Sequence, residues 1–328
     1  MDRAEGPAMP SRAEFAVLTE PYRRELFAHC YRMLGSVHDA EDLVQETYLR
    51  AWRGFDGFEG RSPVRRWLYR IATTACLSAL AGRARRPLPS GLGAPAEDHR
   101  VALAEREPSV PWLQPAPDAR LGLGDPAAVV AGRTGVRLAF VAALQLLPAR
   151  QRAVLTLRDV LAFRTAEVAV MLGTTPAAVD SALRRARARL AEAGPVADEL
   201  TEPDEPVVRA LLDDYVRAFT AADPDALVGL LRADAEMEMP PVPTWFTGRD
   251  AVVGFLATRV LHAEDWRMTP TRANDQPALV VHRRTPDGVD HPYGVQVLTL
   301  AGDRIARITA FRDPALVPAF ASDIRSPT

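Results

Sequence analysis

The stretch TAEVAVMLGTTPAAVDSALRRARARL, residues 165–190, decides how this chain is read. Its first nine residues make a short amphipathic helix ending at Gly173, a residue suited to the left-handed cap of a turn. Thr175 is placed to N-cap the next helix, with Pro176 at its first position. There Val179, Ala182, Leu183, Ala186 and Leu190 form one apolar stripe. Ala177, Ser181, Arg184, Arg185 and Ala188 face away, flanked by Arg187 and Arg189. Small residues at the N-terminal end let such a helix enter a major groove, where Ser and Arg read base edges and flanking Arg meet phosphates. Thr175, Ala177, Ser181, Arg184, Arg185 and Arg187 are therefore candidate DNA contacts. A plain solvated basic helix is the competing reading, and the glycine turn followed by a capped helix weighs against it.

Outward from this segment the charge is uneven. The 328 residues carry 40 basic and 42 acidic side chains, and every basic one is Arg. GC-rich coding accounts for that bias without invoking function. Residues 14–87 hold 12 Arg against 9 acidic residues, and residues 133–192 hold 10 against 4, net charges of +3 and +6. Residues 88–132 are −3 and residues 195–328 are −8. Two basic segments followed by an acidic one suggest nucleic-acid contact early and another role late. No run of eighteen uncharged apolar residues occurs, so no transmembrane helix is expected. MDRAEGPAMPSRAEF lacks an apolar signal core, which argues against secretion. Two cysteines, Cys30 and Cys76, cannot make a disulfide framework or a cysteine-built zinc site. A cytoplasmic protein without metal or cofactor is expected.

Upstream, residues 14–86 read as consecutive helices. On DAEDLVQETYLRAW (39–52), Ala40, Leu43, Val44, Thr47 and Ala51 form the core stripe, leaving Asp42, Gln45, Glu46 and Leu49 outside. Acidic residues there suit simple solvation, but Leu49 at the centre of a charged face suits a protein interface. In RRWLYRIATTACL, Val64, Leu68, Ile71 and Ala75 are expected inside, with Arg66, Tyr69, Arg70 and Thr73 opposite. Phe55, Phe58 and Arg61 lie in the Gly-rich connection before it. Arg interleaved with rings suits a single strand, guanidinium groups tracking phosphates while rings stack bases. The alternative is that Trp67 and the phenylalanines are core.

Residues 88–132 are rich in Pro, Gly and Ala with no sustained period and read as a flexible linker. After a short acidic break at 194–206 the pattern changes. Helical stretches at 207–222, 224–232 and about 249–262 surround strand-like AEMEM (235–239), and ALVVHR, YGVQVLTL and RIARITAF follow, divided by the turns TPDG and AGD. This is an α+β layout.

DAEDLVQETYLRAW (39–52), GRSPVRRWLYRIATTACLSAL (60–80) and LPARQRAVLTLRDVLAFRTAEVAVMLGTTPAAVDSALRRARARL (147–190) together resemble a bacterial sigma factor of the extracytoplasmic-function group in the sigma-70 family. The resemblance implies all-α modules: region 2 at 14–87, the linker, and region 4 at 133–193. By that likeness Asp39, Asp42, Gln45, Glu46 and Leu49 bind the β′ clamp of core RNA polymerase. Phe55, Phe58, Arg61, Arg66, Trp67, Tyr69, Arg70 and Thr73 melt and read the −10 element, and the second helix of the helix-turn-helix reads the −35 element beside the β flap. LLDDYVRAFTAADPDALVGLL, ADAEMEMP and WFTGRDAVVGFL give residues 207–320 a likeness to the SnoaL-like cone of the nuclear transport factor 2 superfamily. That likeness offers Tyr215, Asp234, Trp245, Trp266, His282 and His291 as possible pocket residues, with His262 a further candidate. The −8 against +3 and +6 suggests an intramolecular brake held by charge. Two alternatives stay open: a helix-turn-helix regulator working without polymerase, and a SnoaL-like enzyme fused to a DNA-binding module.

Overall fold

The computed structural model describes residues 12–58, 62–96, 98–107, 109–123, 135–192, 205–261 and 265–321. In the first module α1 (Arg12–Thr19), α2 (Arg23–Leu34), α3 (Val37–Gly54) and α4 (Val64–Leu80) pack together. Helix α2 is the pillar, with every residue from Leu26 to Leu34 buried. It stops at Gly35, whose φ of +66° is left-handed and where an added Cβ would lie 2.8 Å from Leu113 Cδ1. Ser36 then N-caps α3 by accepting from Asp39 N at 3.2 Å.

After a single turn, α5 (Asp118–Leu121), the second module comprises α6 (Leu138–Leu144), α7 (Ala149–Leu155), α8 (Thr165–Leu172) and α9 (Pro176–Glu192). The third places α10 (Glu205–Thr220), α11 (Pro224–Leu230) and α12 (Arg249–Arg259) on a six-stranded sheet. Its strands are β1 (Leu231–Met239), β2 (Val242–Thr247), β3 (Trp266–Ala273), β4 (Gln276–Arg284), β5 (Asp290–Ala301) and β6 (Arg304–Phe311), ordered β2-β1-β6-β5-β4-β3. The pair β1/β6 is parallel and the others are antiparallel.

The sheet is apolar on both faces. Leu279, Val281, Leu298 and Ile308 face a core shared with Tyr215, Phe219, Phe246 and Phe255. Ala278, Val280, Val295, Val297 and Phe311 belong instead to the buried cluster that runs through both helical modules. The unbroken ALVV run at 278–281 is the mark of a strand covered on both sides rather than of simple alternation.

Residues 88–132, expected to be a flexible tether, pack at Leu88 and Pro89 and again over 113–123, whereas most of residues 90–109 are exposed. Leu113 and Ala116 are fully buried. Gln114 ties the linker to the first module, its N–H donating to Gly35 O at 3.0 Å and its Oε1 accepting from Ser36 Oγ at 2.8 Å. On the other side Trp245 Nε1 donates to Gly93 O at 2.9 Å, Ala96 N to Trp245 O at 2.7 Å and Ala104 N to Thr244 Oγ1 at 2.9 Å.

The junction of all three modules is the two-residue turn between β3 and β4. Asn274 and Asp275 take φ of +57° and +58°, a left-handed pair that Asn and Asp tolerate. Asn274, fully buried, donates through Nδ2 to Tyr31 Oη at 2.9 Å and to Val136 O at 2.6 Å, and accepts from Ala116 N at 2.9 Å. Gln276 Oε1 accepts from Leu138 N at 3.0 Å. An ion pair at this seam runs opposite to the expected polarity: Arg272 on β3 meets Asp118 of the linker at 3.1 Å. The expected brake, an acidic domain held on basic modules, is thus corrected: neutral amides and apolar side chains make most of this contact, and its ion pair has the reverse polarity.

Candidate nucleic-acid interfaces

In the helix-turn-helix, Gly173 has φ +60° and Thr175 Oγ1 accepts from Ala178 N at 3.2 Å, capping α9. Val179, Leu183 and Ala186 are buried. Ala177, Arg184 and Arg185 are exposed and Ser181 is half-buried, with Arg184 Nη2 donating to Ser181 Oγ at 3.3 Å. Arg187 is already engaged, bidentate on Asp159 at 2.9 and 2.7 Å. The remaining face projects to solvent.

Helix α4 differs. Tyr69 and Thr73, expected on its open side, are fully buried. The Tyr69 ring stands edge-on to His29 and Phe163, with centroids 5.1 and 5.2 Å away. Thr73 Oγ1 pairs with His29 Nε2 at 2.9 Å, and burial drives the His29 pKa down to about 3, so the imidazole is neutral. Arg66 is tied to Glu167 of α8 at 2.9 Å, while that same carboxylate accepts from Arg164 N. Arg70 is exposed. Phe163 and Glu167 therefore cover Tyr69 and Arg66 on the side of α4 expected to meet a strand, while Thr73 is covered from α2 and Arg70 stays open. The sequence reading missed Arg65, whose guanidinium sits over Tyr69 at 5.0 Å and Phe163 at 4.8 Å and pairs with Glu25 at 3.0 Å. Its signal was present in the Arg65–Arg66 doublet.

Phe55 is core, edge-on to Phe15 at 5.1 Å. Phe58 and Trp67 pack together at 4.7 Å and remain half-buried, so each keeps accessible ring surface. Arg61 lies outside the described residues. On α3, Asp42, Gln45 and Leu49 are exposed, Leu49 by 52%. Glu46 pairs with Arg50 at 2.7 Å, and Asp39 with Arg83 and Arg86 at 3.0 and 2.8 Å.

The C-terminal candidates do not converge. Tyr215 is inside the cone, donating to Gln296 Oε1 at 3.0 Å, and burial pushes its phenol pKa up. Asp234 is exposed and paired with Arg232 at 2.7 Å, and Trp245 lies against the linker. Trp266 Nε1 donates to Val260 O at 2.9 Å and its ring meets Phe219 and Tyr293. His282 is half-buried, His291 is exposed and His262 lies outside the described residues. Aromatic and aliphatic side chains fill the space between helices and sheet.

The sequence matches Sigma-70 region 2 over residues 18–86, Sigma-70 region 4 over 137–190 and the SnoaL-like domain over 212–308. It is 50% identical over 317 residues to the ECF RNA polymerase sigma factor SigG of Mycobacterium tuberculosis, covering 96% of this chain and 85% of that one. With SigJ of the same organism it shares 31% identity over 244 residues, 72% and 70% of the two chains. The crystal structure of the extracytoplasmic function sigma factor SigJ aligns with a TM-score of 0.57 at 21% identity, over 96% of this chain and 100% of that one, a likeness of fold. No helix among the described residues is long and apolar enough to cross a membrane. The chain belongs to the extracytoplasmic-function sigma factors of the sigma-70 family and is an RNA polymerase sigma factor that directs promoter-specific transcription initiation, with a SnoaL-like domain at its C-terminal end.

Proposed function

We propose that this sigma factor is restrained within its own chain until core polymerase pulls region 4 away from region 2. The exposed α3 face of Asp42, Gln45, Glu46 and Leu49 takes the β′ clamp, region 4 meets the β flap, and Asp39 joins once it leaves Arg83 and Arg86. Phe58, Arg66, Trp67 and Arg70 then serve the −10 strand, while Thr175, Ala177, Ser181, Arg184 and Arg185 serve the −35 duplex. Tyr69 and Thr73 shape the helix from behind.

The observation that carries this reading is the closure over α4: Arg66 is held by Glu167 and Tyr69 lies under Phe163. A strand that needs Arg66 must displace Glu167, and region 4 cannot move while Val136, at its entrance, is bound through Asn274 to Tyr31. Melting costs about 1.4 kcal/mol per base-pair step, so the strand-holding site must be free before it can repay that cost. The C-terminal domain acts by docking, which its filled interior and scattered titratable groups support.

Asn274→Ala removes the side-chain hydrogen bonds to Tyr31, Val136 and Ala116 at the junction. Run-off transcription with reconstituted polymerase should rise in this variant at limiting polymerase. Unchanged transcript at every salt concentration tested would count against the restraint. Asp42→Arg should abolish polymerase binding with the DNA-reading residues intact.

A further inference from the structure

We infer that the open-sided cavity between region 2, the linker and region 4 is a binding site for a phosphorylated small molecule of nucleotide size. The cavity holds about 510 Å³, within the range of small-molecule sites. Each of the three segments supplies a wall: Leu34 and Leu80 from the first, Pro111 from the second, Leu147 from the third. These apolar surfaces suit a flat ring. Four guanidinium groups, those of Arg83, Arg85, Arg86 and Arg152, line the same space against the single carboxylate of Asp39.

Two features give the surplus charge a direction. Arg83 and Arg86 share Asp39, at 3.0 and 2.8 Å, so one anion serves two cations. Arg152 is 4% exposed and makes no ion pair with a carboxylate among the described residues. Its terminal nitrogens donate to Gln145 Oε1, Gln145 O, Leu147 O and Met33 O, while its Nε–H is buried without a partner. A buried guanidinium held only by neutral oxygens lacks a counter-charge, and a phosphate bearing two negative charges would supply it. Arginine forks match phosphate oxygens bidentately, which favours a phosphate ester over a simple carboxylate. The same phosphate chemistry occurs in a DNA backbone. The limited volume between three walls favours a single nucleotide unit over a strand.

The consequence rests on the proposed restraint, in which the modules part when polymerase binds: a ligand here binds the closed form and stabilises it by mass action. Among the polymerase-facing and DNA-facing residues named above, Asp39 is shared with this cavity.

The test uses the full chain, with ADP as probe, in titration calorimetry and thermal melting. Adenosine, sodium sulfate at matched ionic strength and a short single-stranded oligonucleotide are the comparison arms. One ADP should bind per chain and raise Tm by about 2 °C or more at saturation. Adenosine and sulfate should do neither, and the oligonucleotide should not displace ADP. Arg83→Gln/Arg85→Gln, which alters two outer cations, should weaken ADP binding about tenfold or more, one charged contact being on the order of 1.4 kcal/mol. Asp39→Asn, removing the competing carboxylate, should tighten it severalfold. ADP binding no tighter than sulfate, insensitivity to both variants, or displacement of ADP by the oligonucleotide would each overturn the inference.

Discussion

Helix α9 offers Ala177, Arg184 and Arg185 to solvent, whereas on α4 the side carrying Arg66, Tyr69 and Thr73 is closed by Glu167, Phe163 and His29. Both helices are amphipathic and both carry arginines opposite an apolar stripe. One face is open because its own helix and cap determine it. The other is closed partly by His29 of its own module and partly by Phe163 and Glu167, more than ninety residues away in sequence. Amphipathic spacing identifies the side of a helix that packs against its own module; it says nothing about what another module lays over the remainder.

The contrast can be broken by substitution. The largest effect is expected at Tyr69: replacing a fully buried ring by Ala should cost about 3–5 kcal/mol in urea unfolding. A loss of DNA binding with unchanged stability would instead make Tyr69 an exposed contact.

Acid should act on the covered side. His29 has its folded pKa lowered to about 3, against 6.5 when unfolded. The stability linked to its neutral form is complete above pH 6.5 and lost as pH falls towards 3, on the order of 2 kcal/mol by pH 5. Thermal melts at pH 7.5 and 5 on the wild type and His29→Gln measure it, and the variant should lose much of the slope.

On the open side, Arg184→Ala should leave urea unfolding within about 0.5 kcal/mol of wild type. It should weaken promoter-directed transcription by at least about 1 kcal/mol, and only on templates that keep a −35 element. Loss on every template alike would remove Arg184 from base reading.

The smallest change in stability among the α4 contacts is expected for Glu167→Gln, under about 1 kcal/mol, since Arg66 and Glu167 are both partly exposed. Its readout is binding of a −10 single strand to the free factor, which should rise as Arg66 is released. No change would indicate that Phe163, rather than charge, closes the face.

The helix-turn-helix was legible because its determinants are local: Gly173 for the left-handed turn, Thr175 for the cap, Pro176 for the first position. The α+β order of the last module was legible from its strands and turns, although β2 and β3 carried too few matching signals to stand out. Phe55 proved to be core and Trp67 half-buried, a distinction that requires Phe15 and Phe58 in place. The linker misled because Pro and Ala hide burial: no period points to Leu113 or Ala116, yet both are fully enclosed. Net charge misled as well, since −8 is a sum over a surface, whereas the docking seam is made largely by Asn274, Gln276 and apolar residues of the sheet, with Arg272 and Asp118 paired in the reverse sense. The pocket candidates scattered because strand alternation assigns a side without saying which residues from distant strands meet.

Tyr31 and Asn274 touch although 243 residues separate them. A ribosome adding about 5–20 residues per second needs roughly 12–50 s to travel that distance. During that interval the two helical modules emerge without the Tyr31–Asn274 contact. A chain interrupted before residue 274 would lack that contact for good, so the junction is reserved for chains that have been translated past it.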